Sequence, residues 1–134
     1  MKFMLDTCIL IHIIRERNLN IIRMLRTKMT GEVNMSAVTV AEMEYGAAKS
    51  SRPDENRDAL YQFLSPLNIL PFDQNAAYEY GLIRSYLERK GMIIGSLDMM
   101  IVAHARSIPA TIVSDNVREF ERVPGLTVEN WLRS

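Results

Sequence analysis

Cysteine, histidine and tryptophan are all scarce in this chain: one Cys, two His and one Trp among 134 residues. A single cysteine, Cys8, excludes an internal disulfide framework and suits a reducing compartment. So few His and Cys leave no cluster with the spacing of a zinc site. Net charge is missing too. Lys+Arg and Asp+Glu both number 16, so the summed charge argues neither for a polyanionic partner nor against one. No run approaches the roughly 20 apolar residues of a membrane span. The apolar stretch at the N-terminus is interrupted by Asp6 and His12, and no small-residue cleavage site follows it. Together these absences lead us to expect a cytoplasmic protein without a membrane segment.

What is present is a hydrophobic content of 48%, enough for one ordinary soluble domain over 1–134 with a real core. No repeat or low-complexity linker divides it. Short apolar runs at 2–6, 33–36, 67–70, 110–114 and 126–129 read as strands, and the periodic stretches between them read as helices. One or two helices are expected over 7–29, with Asn18 as a break. Further helices follow at 39–49 with a Thr-x-x-Glu start, at 53–64 opening on Pro53, at 73–90 ended by Gly91, and up to about 107 behind a Ser96 cap. Strands separated by helical crossovers imply an α/β fold with a mostly parallel central sheet of four to five strands, flanked by helices.

Acids stand out against this pattern. Asp6 sits between Phe3-Met4-Leu5 and Ile9-Leu10-Ile11, where a buried and unpaired carboxylate would cost several kcal/mol. Asp115 follows the run Thr111-Ile112-Val113-Ser114. In open α/β sheets sites form outside the carboxyl ends of the strands, which puts Asp6 and Asp115 on one edge. Two more acids belong to helix starts. At about 100° per residue, Val40, Met43 and Ala47 share an arc of about 60°, while Glu42 lies on another side with Tyr45 and Lys49. A purely structural role for Glu42 is a capping box with Thr39. Asp98 instead lies within about 60° of Ile101, Val102 and Ala105, the stripe a helix turns inward. Helix-dipole stabilisation explains an exposed acid in a first turn, not one heading an apolar face.

Carboxylates gathered at one sheet edge repel each other and resist ionising unless a cation lies among them. All-oxygen ligation selects a hard ion, Mg²⁺ with Mn²⁺ as substitute, and such ions serve phosphoryl chemistry. Cations for a polyanion are available nearby: Arg15, Arg17, Arg23, Arg26 and Lys28 stand against one acid, Glu16, a local charge of 5 − 1 = +4. Arg84, Arg89, Arg118 and Arg122 are further candidates. His12 and His104 have no partner placed by periodicity, Cys8 reads as a small buried hydrophobe, and Trp131 as an anchor for the tail. The helix that "CILIHII" begins is apolar almost all round, which suggests cover on more than one side and a homodimer.

The segments "MLDTCILI", "SAVTVAEMEYGA", "GSLDMMIVAHA" and "IVSDNVREFERVPGL" resemble, in order and spacing, the four acidic motifs of PIN-domain ribonucleases. The closer likeness is to VapC toxins of type II toxin–antitoxin modules, and "NVREFERVPGL" is similar to the members that cut initiator tRNA. The resemblance implies a metal-dependent endoribonuclease leaving 5′-phosphate and 3′-hydroxyl ends, with Asp6, Glu42 and Asp98 in the acidic positions. Asp6 and Asp98 are expected to hold Mg²⁺, and Thr7 and Ser114 are placed to orient a ligand or water. The fourth position falls to Asp115 on charge or to Asn116 on alignment. Cys8 stands where many relatives carry Asn. The resemblance also implies an antitoxin of the VapB kind, whose tail lies across the pocket. A haloacid-dehalogenase-type phosphatase would need a second Asp where Cys8 stands. Two alternatives keep the fold: a module that binds nucleic acid without cutting, and a PIN nuclease acting on rRNA or DNA.

Overall fold

The structure, a computed structural model, describes residues 1–29 and 31–132. Five short strands, β1 (Phe3–Leu5), β2 (Val33–Ser36), β3 (Asn68–Leu70), β4 (Thr111–Val113) and β5 (Val128–Glu129), form one sheet in the order β3-β2-β1-β4-β5. Every pairing is parallel, with Phe3 opposite both Val33 and Thr111. Parallel strands need crossovers, and helices supply them: α1 (Thr7–Ile14), α2 (Leu19–Arg26), α3 (Ala37–Ala48), α4 (Pro53–Leu64), α5 (Gln74–Arg89), α6 (Ser96–Ser107) and α7 (Val117–Phe120).

Strand side chains alternate between two cores. Met4 and Ile112 face α5 and α6, joining Ile83, Leu87, Ile101 and Val102. Phe3, Leu5 and Val113 face the other way, against Ile9, Leu10 and Ile13 of α1, Ile21 of α2, Leu60 and Leu64 of α4, and Trp131. The central strand β1 is therefore apolar throughout, as a strand covered on both faces requires. The expected strands and most helices appear within a residue or two. Asn18 is the break, its side chain accepting from the Ile21 amide to cap α2, and Gly91 ends the α5 region at φ +65, a left-handed conformation that glycine adopts freely.

Two helix starts differ from expectation, and both bear on the site. Helix α3 begins at Ala37, two residues before Thr39: Ser36, at the end of β2, is its N-cap and accepts from the Val38 amide. Thr39 lies inside the helix with a buried hydroxyl that has no hydrogen-bond partner, so the Thr39–Glu42 capping box does not form. Ser96 is the first residue of α6 rather than its cap, which is Gly95. The same Ser36 hydroxyl meets His104 Nδ1 of α6 at 2.7 Å. Burial holds that imidazole below its ordinary pKa, so the hydrogen bond joins a neutral ring to the hydroxyl. One serine thus fixes α3 and α6 relative to β2.

The apolar surroundings of α1 are accounted for within the chain. Ile9, Leu10 and Ile13 are core residues, and Ile11 and Ile14 line a groove. Its apolar girth therefore does not require a second subunit. Among the described residues no helix is long and apolar enough to cross a membrane.

Candidate active site

The order β3-β2-β1-β4-β5 sends the chain from β1 to one side through β2 and returns it to the other side as β4. Between β1 and β4 the crossovers diverge, leaving a crevice at the carboxyl ends of the strands. Asp6 stands there, immediately after Leu5. Its backbone amide completes the ladder to Val113 O, and its Oδ1 accepts from the Thr7 amide as the N-cap of α1. Its Oδ2 accepts from Ser114 Oγ at 2.8 Å and from Cys8 Sγ at 3.3 Å. Burial pushes its pKa upward, and those hydrogen bonds pull the other way. These donors offset in part the cost of holding a carboxylate among apolar residues, and none of them is a cation.

Glu42 reaches the crevice from α3 and is held by Thr7, whose hydroxyl donates to Oε1 at 2.7 Å. Asp98 arrives from the first turn of α6, the helix that runs back against β4. Half-buried, it titrates at about 6 against an ordinary 3.8, first because burial disfavours its charge and then because Asp6, Glu42 and Glu119 repel it. Among the described residues no ion pair reaches Asp6, Glu42 or Asp98. The crevice is a site of uncompensated negative charge.

Asp115 takes a different place from the one its sequence position suggests. It turns to the rim, where His12 Nε2 lies 3.0 Å from its Oδ2. Against the opposing effect of burial, hydrogen bonds from Cys8 and His12 hold its carboxyl below the ordinary value. Asn116 donates to Glu119 Oε2 at 3.1 Å, and its amide donates to Ser114 Oγ. Glu119 is the residue that sequence reasoning missed. It lies on the four-residue helix α7, too short to announce itself by periodicity, and only the effect of its charge on Asp98 reveals it.

Other expectations are corrected by the same network. His12 does have partners, Asp115 and Glu16. Cys8 is not simply core: its thiol faces Asp6 and Ser114 at the crevice, and burial followed by the charge of Asp6 pushes its pKa up, so it is not a reactive thiolate. The five cations of 15–28 do not form one rim. Arg15 lines the groove beside Glu42. Lys28 Nζ lies 4.4 Å from the Phe3 ring centroid and 5.4 Å from that of Trp131. Arg26 and Lys28 also line a second cavity with Gly31 and Val33. Phe3 and Val33 open their strands, so these two cations lie at the sheet end opposite the acids. Trp131 does anchor the tail, edge-on to Phe3. Arg84 and Arg89 are engaged along α5 with Glu88 and Ser85, and Arg122 donates to Ile93 O.

Among the described residues no three His, Cys, Asp or Glu side chains are already drawn together to hold a metal ion. A donor set of carboxylates spread around a crevice suits a hard cation that keeps several waters, the habit of Mg²⁺, better than a dehydrated ion in a closed cage. The raised Asp98 pKa is the observation that fits such an ion, because a cation beside the carboxylate would favour its charged form against both the burial and the repulsion that raise it.

Comparison with known proteins places this arrangement. The PIN domain model matches residues 3–126. The chain belongs to the PIN domain family. Within that family it aligns with VapC ribonucleases over nearly its whole length. "Ribonuclease VapC2" of Haemophilus influenzae is 43% identical over 132 residues, covering 98% of this chain and 99% of the relative. The "tRNA(fMet)-specific endonuclease VapC" of Shigella flexneri is 41% identical over 131 residues, covering 98% of each. Among solved structures, DNA-bound VapBC from Salmonella typhimurium superposes with a TM-score of 0.94 at 40% identity, covering 98% of each chain. VapBC2 from Rickettsia felis, bound to a promoter DNA fragment, superposes at 0.93 and 36%, covering 98% of this chain and 99% of that one. The PIN fold read from the four acidic segments is thereby established.

Proposed function

We propose that this PIN-domain protein is the toxin of a type II toxin–antitoxin module, a Mg²⁺-dependent endoribonuclease that cuts initiator tRNA and so blocks translation. The observation that carries this reading is the acidic crevice of Asp6, Glu42, Asp98 and Glu119 without a compensating cation; the named substrate of the Shigella relative supports the choice of RNA. Asp6 and Asp98 would hold the ion, with Glu42 and Glu119 completing the negative field around its waters. When bound, such an ion supplies a water of lowered pKa and positive charge against the phosphoryl oxygens. The chain's own groups do the positioning. Ser114 and the Thr7 amide fix the rotamer of Asp6, and the Thr7 hydroxyl keeps Glu42 turned inward. Arg15 and Lys49, which line the groove together with Glu42, are cations available to meet RNA phosphate there.

The groove itself, about 780 Å³ and lined by Ile11, Ile14, Val38, Met43, Leu97 and Met100 with Thr7 and Glu42 at its wall, is proposed as the seat of a VapB-like antitoxin segment. An amphipathic segment there would bury its apolar side and bring a basic side chain to Glu42. A homodimer also remains a proposal. Tyr78 and Leu82, one turn apart on α5 and exposed, offer it a patch, and sedimentation equilibrium tests it.

The decisive test is end-mapped cleavage of a total tRNA pool by purified protein, with Mg²⁺ and with EDTA. A single cut in initiator tRNA that EDTA abolishes supports the reading. An rRNA or DNA cut would reassign the substrate, and binding without cutting would make the protein a non-cleaving module.

A further inference from the structure

The mechanism leaves one group at the crevice unused. His12 projects from α1 between two acids, Glu16 in the turn just past the end of that helix at Nδ1 and Asp115 of the β4–α7 loop at Nε2, 3.0 Å away. Both ring nitrogens face carboxylate oxygens. Neutral imidazole has one N–H and satisfies only one of them, whereas the imidazolium satisfies both. The bond spans 103 residues of sequence and joins the Cys8–Ser114 and Ser114–Asp6 contacts in holding the loop that follows β4 against α1 and its N-cap.

What that tie prevents is visible in the chain's connectivity. Asp115 directly follows Ser114, whose hydroxyl is bonded to Asp6, and its charge is already felt by the Asp6 carboxyl. Released from His12, the Asp115 side chain has only the crevice or solvent to turn to. Further along, Asn116 donates to the Glu119 carboxylate, whose charge is felt by Asp98. We infer that His12 is a positioning residue for the acidic site: by clamping the Asp115 carboxylate at the rim against α1, it keeps that acid out of the crevice and leaves the fourth acidic place to Glu119, braced by Asn116. Its imidazolium also offsets Asp115 at the mouth, where RNA phosphates must enter. The inference rests on the proposed divalent-ion site.

The test is Mn²⁺ titration of the metal-free full-length protein by calorimetry, using wild type, His12→Ala, His12→Gln, Asp115→Asn and the His12→Ala/Asp115→Asn pair, with melting temperatures recorded for each. An unclamped carboxylate added to the field of the crevice should tighten Mn²⁺ binding by about fivefold in His12→Ala. His12→Gln, which keeps an N–H for Asp115, should lie closer to wild type, and the double variant should lose the tightening. A role confined to holding the fold would lower melting temperatures without this dependence on Asp115, and equal Mn²⁺ affinity of wild type, His12→Ala and His12→Gln overturns the inference. Absence of Mn²⁺ binding by folded wild type overturns the ion site itself, a result distinguishable from the first.

Discussion

Helix α3 carries two glutamates two residues apart, and they live in opposite electrostatic worlds. Glu44, on the seam with α4, accepts from Tyr61 OH at 2.7 Å and from Arg57 Nε at 3.1 Å. Those partners, the tyrosine first and the arginine next, hold its carboxyl below the ordinary value. Glu42 has one neutral hydroxyl, from Thr7, and faces Asp98, whose pKa it helps to raise. A protein that supplies an arginine and a phenol to one acid has the means to neutralise its neighbour. Among the described residues it leaves the crevice acids without an ion pair, and that asymmetry separates an acid that pins two helices from acids that no side-chain cation neutralises.

The comparison can be broken most severely at Asp98. Asp98→Asn should slow RNA cleavage by about a thousandfold, the scale on which one charge-stabilising group matters, as measured by single-turnover rates; a rate within threefold of wild type would remove Asp98 from the site. Next, Glu42→Gln should cost about a hundredfold through misplacement of the acidic field, while Glu44→Gln should change the rate by less than about twofold. Equal losses from the two would erase the distinction between the regions.

Stability sharpens the contrast further. Because Asp98 titrates at about 6 in the fold and at 3.8 ordinarily, the folded state binds its proton more tightly than the unfolded chain. That contribution is fully present below about pH 4 and is lost as pH rises through about 6. At pH 7 the ionised carboxylate therefore opposes folding, and metal-free Asp98→Asn should be more stable than wild type. After allowance for its exposure the gain is about 1 kcal/mol, or about 3 °C in melting temperature, with no gain at pH 4. The smallest effect concerns a third polar group of α3. Thr39 Oγ1 is buried without a partner, so Thr39→Val should stabilise the protein by about 0.5–1 kcal/mol in urea titrations and leave cleavage unchanged.

Sequence legibility followed the range of the interactions involved. Strand and helix limits rest on neighbours a few residues apart, and the alternation of Phe3, Met4 and Leu5 between two cores follows from apolar runs between helical patterns. Asp6, Glu42 and Asp98 were readable because each stands where a local pattern breaks. What periodicity could not supply were partners distant in sequence. The hydroxyl of Ser36 reaches His104 and that of Thr7 reaches Glu42, and neither link leaves a trace in local spacing. The contact between His12 and Asp115, 3.0 Å across 103 residues of sequence, is likewise invisible to spacing. The expected capping box failed for a related reason: Ser36 ends a strand and caps a helix at once, so α3 starts before the Thr-x-x-Glu pattern.

The most direct measurement is the side-chain carboxyl titration of Asp98 and Glu44 by carbon NMR in one metal-free sample, repeated with Mg²⁺. Asp98 should titrate near 6 and fall on adding Mg²⁺, while Glu44 stays below its ordinary value in both conditions. An Asp98 that titrates near 3.8 and ignores Mg²⁺ would contradict the claim that the crevice is an unpaired acidic site built for a divalent cation.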